Sequence, residues 1–282
     1  MVVKNRSVFE KYIKPESLVG GVFFHPTRHI YLLLTNKAYR VLSLLNSKYK
    51  TYPRYKHKQI NVDGMSLSVP DMTSFIGGYK EIFVDKIYDV PDKGMRILDL
   101  GANIGISCLR FKLIDPKSTI VAYEADSKIF KHLSVNTKKH KGIVLHNKAV
   151  FNKDCTLSFN HEGSDGGRVD NNPKVGMSVK AKGIKKILEE EGPFDYIKMD
   201  IEGSESVVIS ECRGLLEQTK YFFCEYHSFE HEEQKLNDIL SILRKEGFRI
   251  NIQTLSICKQ PFLAPTSRSG FDMQLNIFAW KL

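Results

Sequence analysis

The sequence predicts an α/β protein in which helices cover both faces of a seven-stranded, mostly parallel sheet. From about Gly94 onward, short apolar runs alternate with longer segments of helical periodicity, which is the pattern of consecutive βα units. The first run leads into a glycine-containing turn and a helix, as at the ligand-binding edge of an open α/β sheet. Residues 1–60 lack this alternation and are predicted to form a basic, mainly helical extension of a domain spanning 61–282.

The elements of the predicted domain follow in chain order. Predicted strands cover residues 96–100, 119–123, 143–145, 196–199, 221–225, 248–252 and 274–280. Predicted helices cover residues 106–113, 126–139, 205–216 and 232–245, and Gly247 suits the position that ends the last one. A glycine-rich insertion at 151–192, with flanking strands at 155–159 and 177–181, predicts either a functional loop or a surface hairpin.

The front segment carries the net charge of the protein. The 282-residue chain has 42 Lys and Arg against 32 Asp and Glu, a net charge of +10. Residues 1–60 hold 12 of the basic residues and only two acidic ones, so the remainder is neutral. One amphipathic helix is predicted over 29–46, followed by the segment KYKTYPRYKHK.

This asymmetry indicates an anionic partner for the front segment. An acidic acceptor, or a membrane surface that carries it, fits the basic charge. Tyr49, Tyr52 and Tyr55 among basic residues would also suit nucleic acid, through stacking and phosphate contacts. The plain alternative is a solvated helical cap over the sheet edge.

Composition excludes several classes of protein. No apolar run approaches the roughly 20 residues of a membrane-spanning helix. The first residues contain no apolar stretch typical of a secretory signal. Five cysteines without a CxxC pair indicate reduced thiols rather than disulfides or a zinc site. We therefore expect a cytoplasmic protein, with peripheral attachment to the inner membrane face as a further option.

The segment RILDLGANIG, residues 96–105, indicates the nature of the ligand. Gly101 and Gly105 let the backbone approach a ligand, toward which the following helix is expected to point its N–H groups. Asn103 replaces the second glycine of a dinucleotide-binding turn, which argues against NAD. The Asp99 carboxylate suits a positively charged amino or sulfonium group, and Glu124, ending the next strand, can accept both ribose hydroxyls. Together these features favour S-adenosylmethionine.

A second group of polar residues follows the later strands. Asp200 and Glu202 come after one strand, while Glu225 and His227 end the next, so all four are expected at one rim of the sheet. Lys198 lies inside an apolar strand and is expected to meet a carboxylate, because an unpaired buried ammonium is costly. The candidate catalytic residues are Asp200, His227, Glu225 and Lys198.

These residues leave the general base open. His227 is favoured by the ordinary pKa of histidine and Asp200 by its position, and a purely structural histidine is an equal alternative. Glu225 is expected either to orient His227 or to pair with Lys198. A divalent metal such as Mg²⁺ or Mn²⁺, held by Asp200, Glu202, Glu225 and His227, is a less favoured option, because most such clusters are metal-free hydrogen-bonded networks.

The motifs DLGANIG, the strand end at Glu124, AVFNKD, IKMDIEGSE and EYH, in this order, resemble the FkbM family of methyltransferases from about residue 75 onward. The resemblance implies a class I methyltransferase, Rossmann-like fold and S-adenosylmethionine-dependent O-methylation of a saccharide, polyketide or macrolide hydroxyl. An RNA ribose methyltransferase and a non-catalytic cofactor-binding scaffold are the alternatives. The candidate cofactor-binding residues are Asp99, Gly101, Ala102, Asn103 and Gly105 toward the methionine end, Glu124 and Ala125 toward the ribose, and Asn147 and Ala149 toward the adenine.

Overall fold

The computed structural model describes residues 18–160, 168–169, 177–255, 262–263 and 271–282. Its α-helices are α1 (Leu18–Thr35), α2 (Lys37–Tyr49), α3 (Met72–Tyr79), α4 (Ile106–Ile114), α5 (Ser127–Thr137), α6 (Ile184–Glu191), α7 (Glu205–Ser210) and α8 (Leu236–Lys245), and a π-helix (Lys80–Asp85) continues α3. Its strands are β1 (Lys58–Val62), β2 (Met65–Val69), β3 (Arg96–Leu100), β4 (Thr119–Tyr123), β5 (Ile143–His146), β6 (Ala149–Phe151), β7 (Cys155–Asn160), β8 (Arg168–Val169), β9 (Met177–Gly183), β10 (Tyr196–Met199), β11 (Tyr221–Phe229), β12 (Arg249–Thr254) and β13 (Phe271–Trp280).

The central sheet confirms the predicted fold class. Its seven strands run in the order β12-β13-β11-β10-β3-β4-β5. Strands β11, β10, β3, β4 and β5 are parallel, while β13 is antiparallel to both β11 and β12. The carboxyl ends of the parallel strands therefore meet at one edge of the sheet, where open α/β sheets bind their ligands.

Helices cover both faces of this sheet. One apolar cluster joins it to α2, α3, α4 and α5 through residues such as Phe75 and Phe111. The other cluster joins it to α6, α7 and α8 through residues such as Ile184 and Ile242. Strand β3 is buried from both sides, which explains why it is largely apolar.

The front segment differs from its prediction. The single helix predicted over 29–46 is wrong, because the chain breaks at Asn36, whose side chain accepts a backbone N–H of the first turn of α2. Leu42 and Leu45 of α2 are buried in the first apolar cluster. Ile30 and Leu34 of α1, predicted on the same apolar stripe, are 56% and 76% exposed.

The proposed boundary between residues 60 and 61 falls within strand β1, which pairs with β2 as an antiparallel hairpin. The hairpin contributes Ile60, Leu67 and Val69 to the same cluster as Leu42. The front segment is thus joined to the sheet by packing as well as by the chain. Within the described residues, no helix combines the length and apolar character needed to cross a membrane.

Two predicted helices have different bounds. Helix α7 ends at Ser210 rather than at 216, and α8 begins at Leu236 rather than at 232. The insertion at 151–192 contains a second sheet, ordered β6-β9-β7-β8, which confirms the two flanking strands. Its glycine-rich segment, residues 161–176, lies outside the described residues except for Arg168 and Val169.

Candidate active site

The glycine turn after β3 lies against the end of β10. Gly101 has φ +77°, and a Cβ added there would lie 1.8 Å from the carbonyl oxygen of Asp200. Only glycine combines this backbone conformation with so close an approach. The two halves of the predicted site, on neighbouring strands, are therefore in direct contact.

The backbone N–H groups of the turn are used inside the protein. Those of Gly101 and Ala102 donate to the carbonyl oxygen of Tyr123, and that of Gly105 donates to Ala102. Asn103 donates its N–H to Glu124 Oε2 at 2.9 Å, and its side chain accepts the next N–H. The turn therefore uses these N–H groups itself, and the expectation that the N–H groups of the following helix face the ligand stays a prediction. A turn without spare donors suits a cation better than a phosphate.

Glu124 lies at the end of β4, as predicted, and is 8% exposed. Its Oε1 accepts the N–H of Asp126 at 2.7 Å, and its Oε2 accepts that of Asn103. Burial raises the pKa of Glu124 to about 7, although the two hydrogen bonds oppose this shift. Each carboxylate oxygen retains one acceptor site, so the group still suits a pair of hydroxyl donors.

Asn147 stabilises the same strand end. Its Nδ2 donates to the carbonyl oxygens of Glu124 at 2.9 Å and Ala125 at 3.2 Å. Ala149 begins β6 and is buried. Both residues follow β5, the strand that pairs with β4 and its end at Glu124. Their contact with an adenine stays a prediction.

Lys198 meets two carboxylates, as its position in an apolar strand predicted. Its Nζ lies 3.3 Å from Asp99 Oδ1 and 3.3 Å from Asp200 Oδ2, and it donates to the carbonyl oxygen of Gly101 at 2.6 Å. Burial would lower the pKa of Lys198, but Asp99 and Asp200 outweigh it and raise this pKa above its ordinary value. Asp99 is fully buried and also accepts the hydroxyl of Ser107. Its carboxylate therefore holds Lys198 in place.

His227 is surrounded by carboxylates. Its Nδ1 lies 3.1 Å from Glu205 Oε1, and its Nε2 lies 3.4 Å from Glu225 Oε1 and 3.5 Å from Glu202 Oε2. Burial would lower the pKa of His227, but the charge and hydrogen bond of Glu205 and those of its neighbours raise it well above its ordinary value. Glu225 was predicted to contact either His227 or Lys198. The structure pairs it with His227.

Two residues of this cluster were missed by the sequence analysis. Glu205 is fully buried and also accepts the N–H groups of Ile201 and Gly203. Gln274 donates its Nε2 to Glu225 Oε1 at 2.8 Å. A glutamate in the first turn of a helix is common as a helix-end residue, so its position gave no signal of a histidine partner.

The accessible groups of the cluster are Asp200 and Glu202, whose side chains are 23% and 22% exposed. Burial raises the pKa of Asp200 to about 6 despite the opposing charge of Lys198. Burial likewise raises the pKa of Glu202 to about 9, against the influence of His227. At neutral pH, Asp200 is therefore mainly ionised and Glu202 mainly protonated.

Three of the four predicted metal ligands lie together. Ligand atoms of Asp200, Glu202 and His227 are within 4.8 Å of one another, a set to which Glu225 does not belong. A divalent cation would suit this oxygen-rich trio. Lys198 already pairs with Asp200, however, and His227 in its protonated form has no lone pair to offer a cation.

Comparison with known proteins places these residues in a family. The model of the methyltransferase FkbM domain matches residues 99–250, just over half of the chain. Methyltransferase 1 of Beauveria bassiana is 38% identical over 86 residues, which are 29% of this chain and 34% of that protein. The 2-O-methyltransferase NoeI of Sinorhizobium fredii is 25% identical over 161 residues, 50% of this chain and 66% of that protein. The chain thus spans less than two thirds of either relative.

Solved structures of methyltransferases are similar at the level of the fold. M. jannaschii TYW2 in complex with AdoMet has a TM-score of 0.48 and 11% identity, covering 82% of this chain and 89% of that chain. Aeropyrum pernix fibrillarin with bound S-adenosyl-L-methionine has a TM-score of 0.44 and 11% identity, covering 81% and 84%. At these TM-scores and identities, the likeness says nothing about the acceptor of this chain.

Proposed function

Since the chain belongs to the FkbM-domain methyltransferases, we propose that it transfers the methyl group of S-adenosylmethionine to a hydroxyl oxygen of a saccharide or secondary metabolite. The observation that carries the proposal is the position of Asp200, whose backbone lies against the glycine turn and whose carboxylate is accessible. The name of one relative, 2-O-methyltransferase NoeI, supports an oxygen acceptor.

The cofactor is assigned to the edge formed by the turn 101–105 and Glu124. When bound, S-adenosylmethionine supplies a methyl group on a positively charged sulfur. Glu124 has acceptor sites left for the ribose hydroxyls. The N–H groups of the turn already donate inside the protein, so the surface of the turn favours a cation. Asp99 supports this edge indirectly, through Lys198 and the carbonyl oxygen of Gly101.

Asp200 is assigned as the general base. An alcohol is a poor nucleophile while protonated, and a positioned base increases the rate by typically ~10²–10⁴. Asp200 is accessible and mainly ionised at neutral pH, because its pKa is raised only to about 6. Glu202 is equally accessible, but its pKa of about 9 leaves it protonated. Asp200 is therefore the proton acceptor, and Glu202 is a neighbouring carboxyl group that already carries a proton.

Lys198 and His227 are assigned as positioning residues. Lys198 fixes Asp200 against Asp99 and the turn, so that the carboxylate faces the acceptor side of the cofactor edge. His227 is buried and flanked by carboxylates at both ring nitrogens, and its raised pKa leaves no free lone pair for a substrate proton. We therefore assign His227 as the cation that holds Glu225 rather than as the base.

A radiolabel experiment tests the proposal. The purified protein is incubated with methyl-labelled S-adenosylmethionine and a fractionated extract of the host, and the labelled product is examined by NMR. We expect an O-methyl group on a carbohydrate or secondary metabolite. The same incubation with Asp200→Asn, whose cofactor binding is measured by calorimetry, is the control and should yield little labelled product. Label confined to RNA or protein would refute the assignment of the acceptor, and failure to bind S-adenosylmethionine would refute the cofactor edge.

A further inference from the structure

The front helices expose large apolar side chains. On α1, Ile30 is 56% exposed, Tyr31 43% and Leu34 76%. Leu34 lies four residues after Ile30 and three after Tyr31, so it neighbours both on one side of the helix. On α2, Leu44 is 69% exposed, although Leu42 and Leu45 beside it are buried. Contiguous exposed apolar groups of this kind mark a surface that contacts another apolar phase.

A cavity connects these helices with the body of the protein. It has a volume of about 720 Å³ and is lined by Tyr31 and Lys37 on one side and by Leu113 of α4 on the other. Leu113 is itself 54% exposed, so it extends the apolar surface of α1 across the cavity. Lys37, which lines the cavity, and Leu44 lie seven residues apart on the same face of α2. The exposed surface beside the cavity therefore continues along that helix as far as Leu44. We call Ile30, Tyr31, Leu34, Leu44 and Leu113 the apolar patch.

The charge around the apolar patch is mainly positive, although Asp63, which pairs with Lys37 at 2.9 Å, also lines the cavity. Residues 17–62 contain eight Lys and Arg and no Asp or Glu. Leu44 stands one helical turn after Arg40 and one turn before Lys48, and all three side chains are exposed. Exposed leucines between cations are typical of helices that lie in the interface of an anionic membrane.

We infer that the apolar patch and the surrounding basic residues bind the surface of an anionic lipid bilayer. The patch would enter the boundary between headgroups and acyl chains, while Arg28, Lys48 and Lys50 would contact the lipid phosphates. Nucleic acid also matches the charge, but it offers no partner for exposed aliphatic side chains such as Ile30 and Leu34. The inference concerns where the enzyme docks and does not depend on its acceptor.

Vesicle flotation of the full chain tests the inference. Vesicles of phosphatidylcholine and phosphatidylserine in equal amounts are compared with vesicles of phosphatidylcholine alone, at low and at high salt. We expect binding to the anionic vesicles at low salt only, since salt screens charges at a membrane surface. No binding to the anionic vesicles at low salt would overturn the inference.

Matched variants locate the binding surface. The double variant Ile30→Ser, Leu34→Ser and the double variant Lys48→Glu, Lys50→Glu are each expected to weaken vesicle binding by at least about tenfold. The controls are Val144→Ser with Ile252→Ser, which changes aliphatic side chains 52% and 41% exposed elsewhere, and Lys245→Glu on α8. Thermal melting verifies that each variant is folded, and the control variants should bind vesicles as the parent protein does.

Three results would contradict the inference. Vesicle binding that is unchanged in Ile30→Ser, Leu34→Ser would remove the apolar patch as its cause. A stable dimer that this variant dissociates, without vesicle binding by the parent, would make the patch a contact between two copies of the chain. Tight, salt-sensitive binding of a homopolymeric RNA by a protein that does not bind vesicles would assign the basic surface to nucleic acid.

Discussion

The cluster around His227 and the segment 17–62 both contain many charged side chains. They differ in burial, because the cations of the cluster are buried between carboxylates, whereas the front segment exposes cations such as Lys48. In the cluster, Lys198 and His227 lie between carboxylates at 3.1–3.5 Å, and both are almost fully buried. In the front segment, eight basic residues occur without an acidic one, and Lys48 and Lys50 are exposed. Lys37 and Arg54 of this segment pair with Asp63 and Asp71 just outside it. Buried pairs fix the position of a group, whereas exposed surface charges also act on partners at a distance. Basic side chains therefore hold the carboxylates of the candidate site in place in one region and attract an anionic partner in the other.

Removing the accessible carboxylate of the cluster should have the largest effect. In Asp200→Asn, we expect the turnover number to fall by ~10²–10⁴, because the base is lost while the shape of the side chain is kept. Binding of S-adenosylmethionine, measured by calorimetry, should change little. A turnover number equal to that of the parent would exclude Asp200 as the base.

Lysine-to-methionine variants compare the two regions directly. Lys198→Met leaves the buried carboxylate of Asp99 without its cation, so we expect the free energy of unfolding to fall by about 3–5 kcal/mol. Lys48→Met in the front segment should change it by less than about 0.5 kcal/mol. Urea denaturation measures both, and equal effects would contradict the contrast between buried and exposed charge.

Glu205→Gln tests the residue that sequence analysis missed. The amide oxygen can still accept the N–H of Gly203, but the charge that holds His227 is lost, so we expect a loss of stability of about 1–3 kcal/mol. The pKa of His227, followed by NMR, should fall toward its ordinary value. Glu211→Gln, at an exposed glutamate just after α7, is the control and should alter neither quantity.

Activity and stability should respond to pH in opposite directions. Asp200 has to be ionised to accept a proton, so the rate should fall about tenfold for each unit below its pKa, which is about 6. The folded-state pKa lies above the ordinary value of 3.8, so the contribution of Asp200 to stability is fully present at low pH and is lost as pH rises through about 6. A pH–rate profile and melting temperatures over the same range test both trends, and a flat rate profile would contradict the role of Asp200.

Chelation should have the smallest effect. Because Lys198 already pairs with Asp200 and the protonated His227 has no lone pair for a metal, we expect turnover in excess EDTA to equal that of the untreated protein. Activity that EDTA abolishes and Mg²⁺ or Mn²⁺ restores would instead assign a metal to Asp200, Glu202 and His227.

Local sequence pattern predicted the sheet well and the helix ends less well. The bounds of β3, β4 and β10 agree with the prediction, because buried parallel strands are largely apolar, here apart from Asp99 and Lys198 at their buried positions. The helix predicted over 29–46 failed at Asn36, since apolar spacing persists across a break that one capping side chain creates. Helix α7 ends at Ser210 although apolar residues continue to Leu216, which is buried without being helical.

The candidate site was predictable where residues follow strand ends. Asp200, Glu202, Glu225 and His227 converge as their strand positions indicate. The partners of His227 were not predictable, because the contact with Glu205 depends on how α7 packs against β11 and that with Gln274 on the register of β13. The surroundings also changed the chemistry, since burial raises the pKa of Glu202 and the neighbouring carboxylates raise the pKa of His227.

The order of the sheet makes the completion of the cluster a late event during translation. Among the described residues, strand β12 pairs only with β13, and β13 lies between it and β11. A nascent chain that has emerged only as far as residue 255 therefore has no place in the sheet for β12, and Glu225 and His227 still lack Gln274. Ribosome-bound chains should consequently bind the cofactor edge, built from β3 and β4, before they acquire a finished acceptor side.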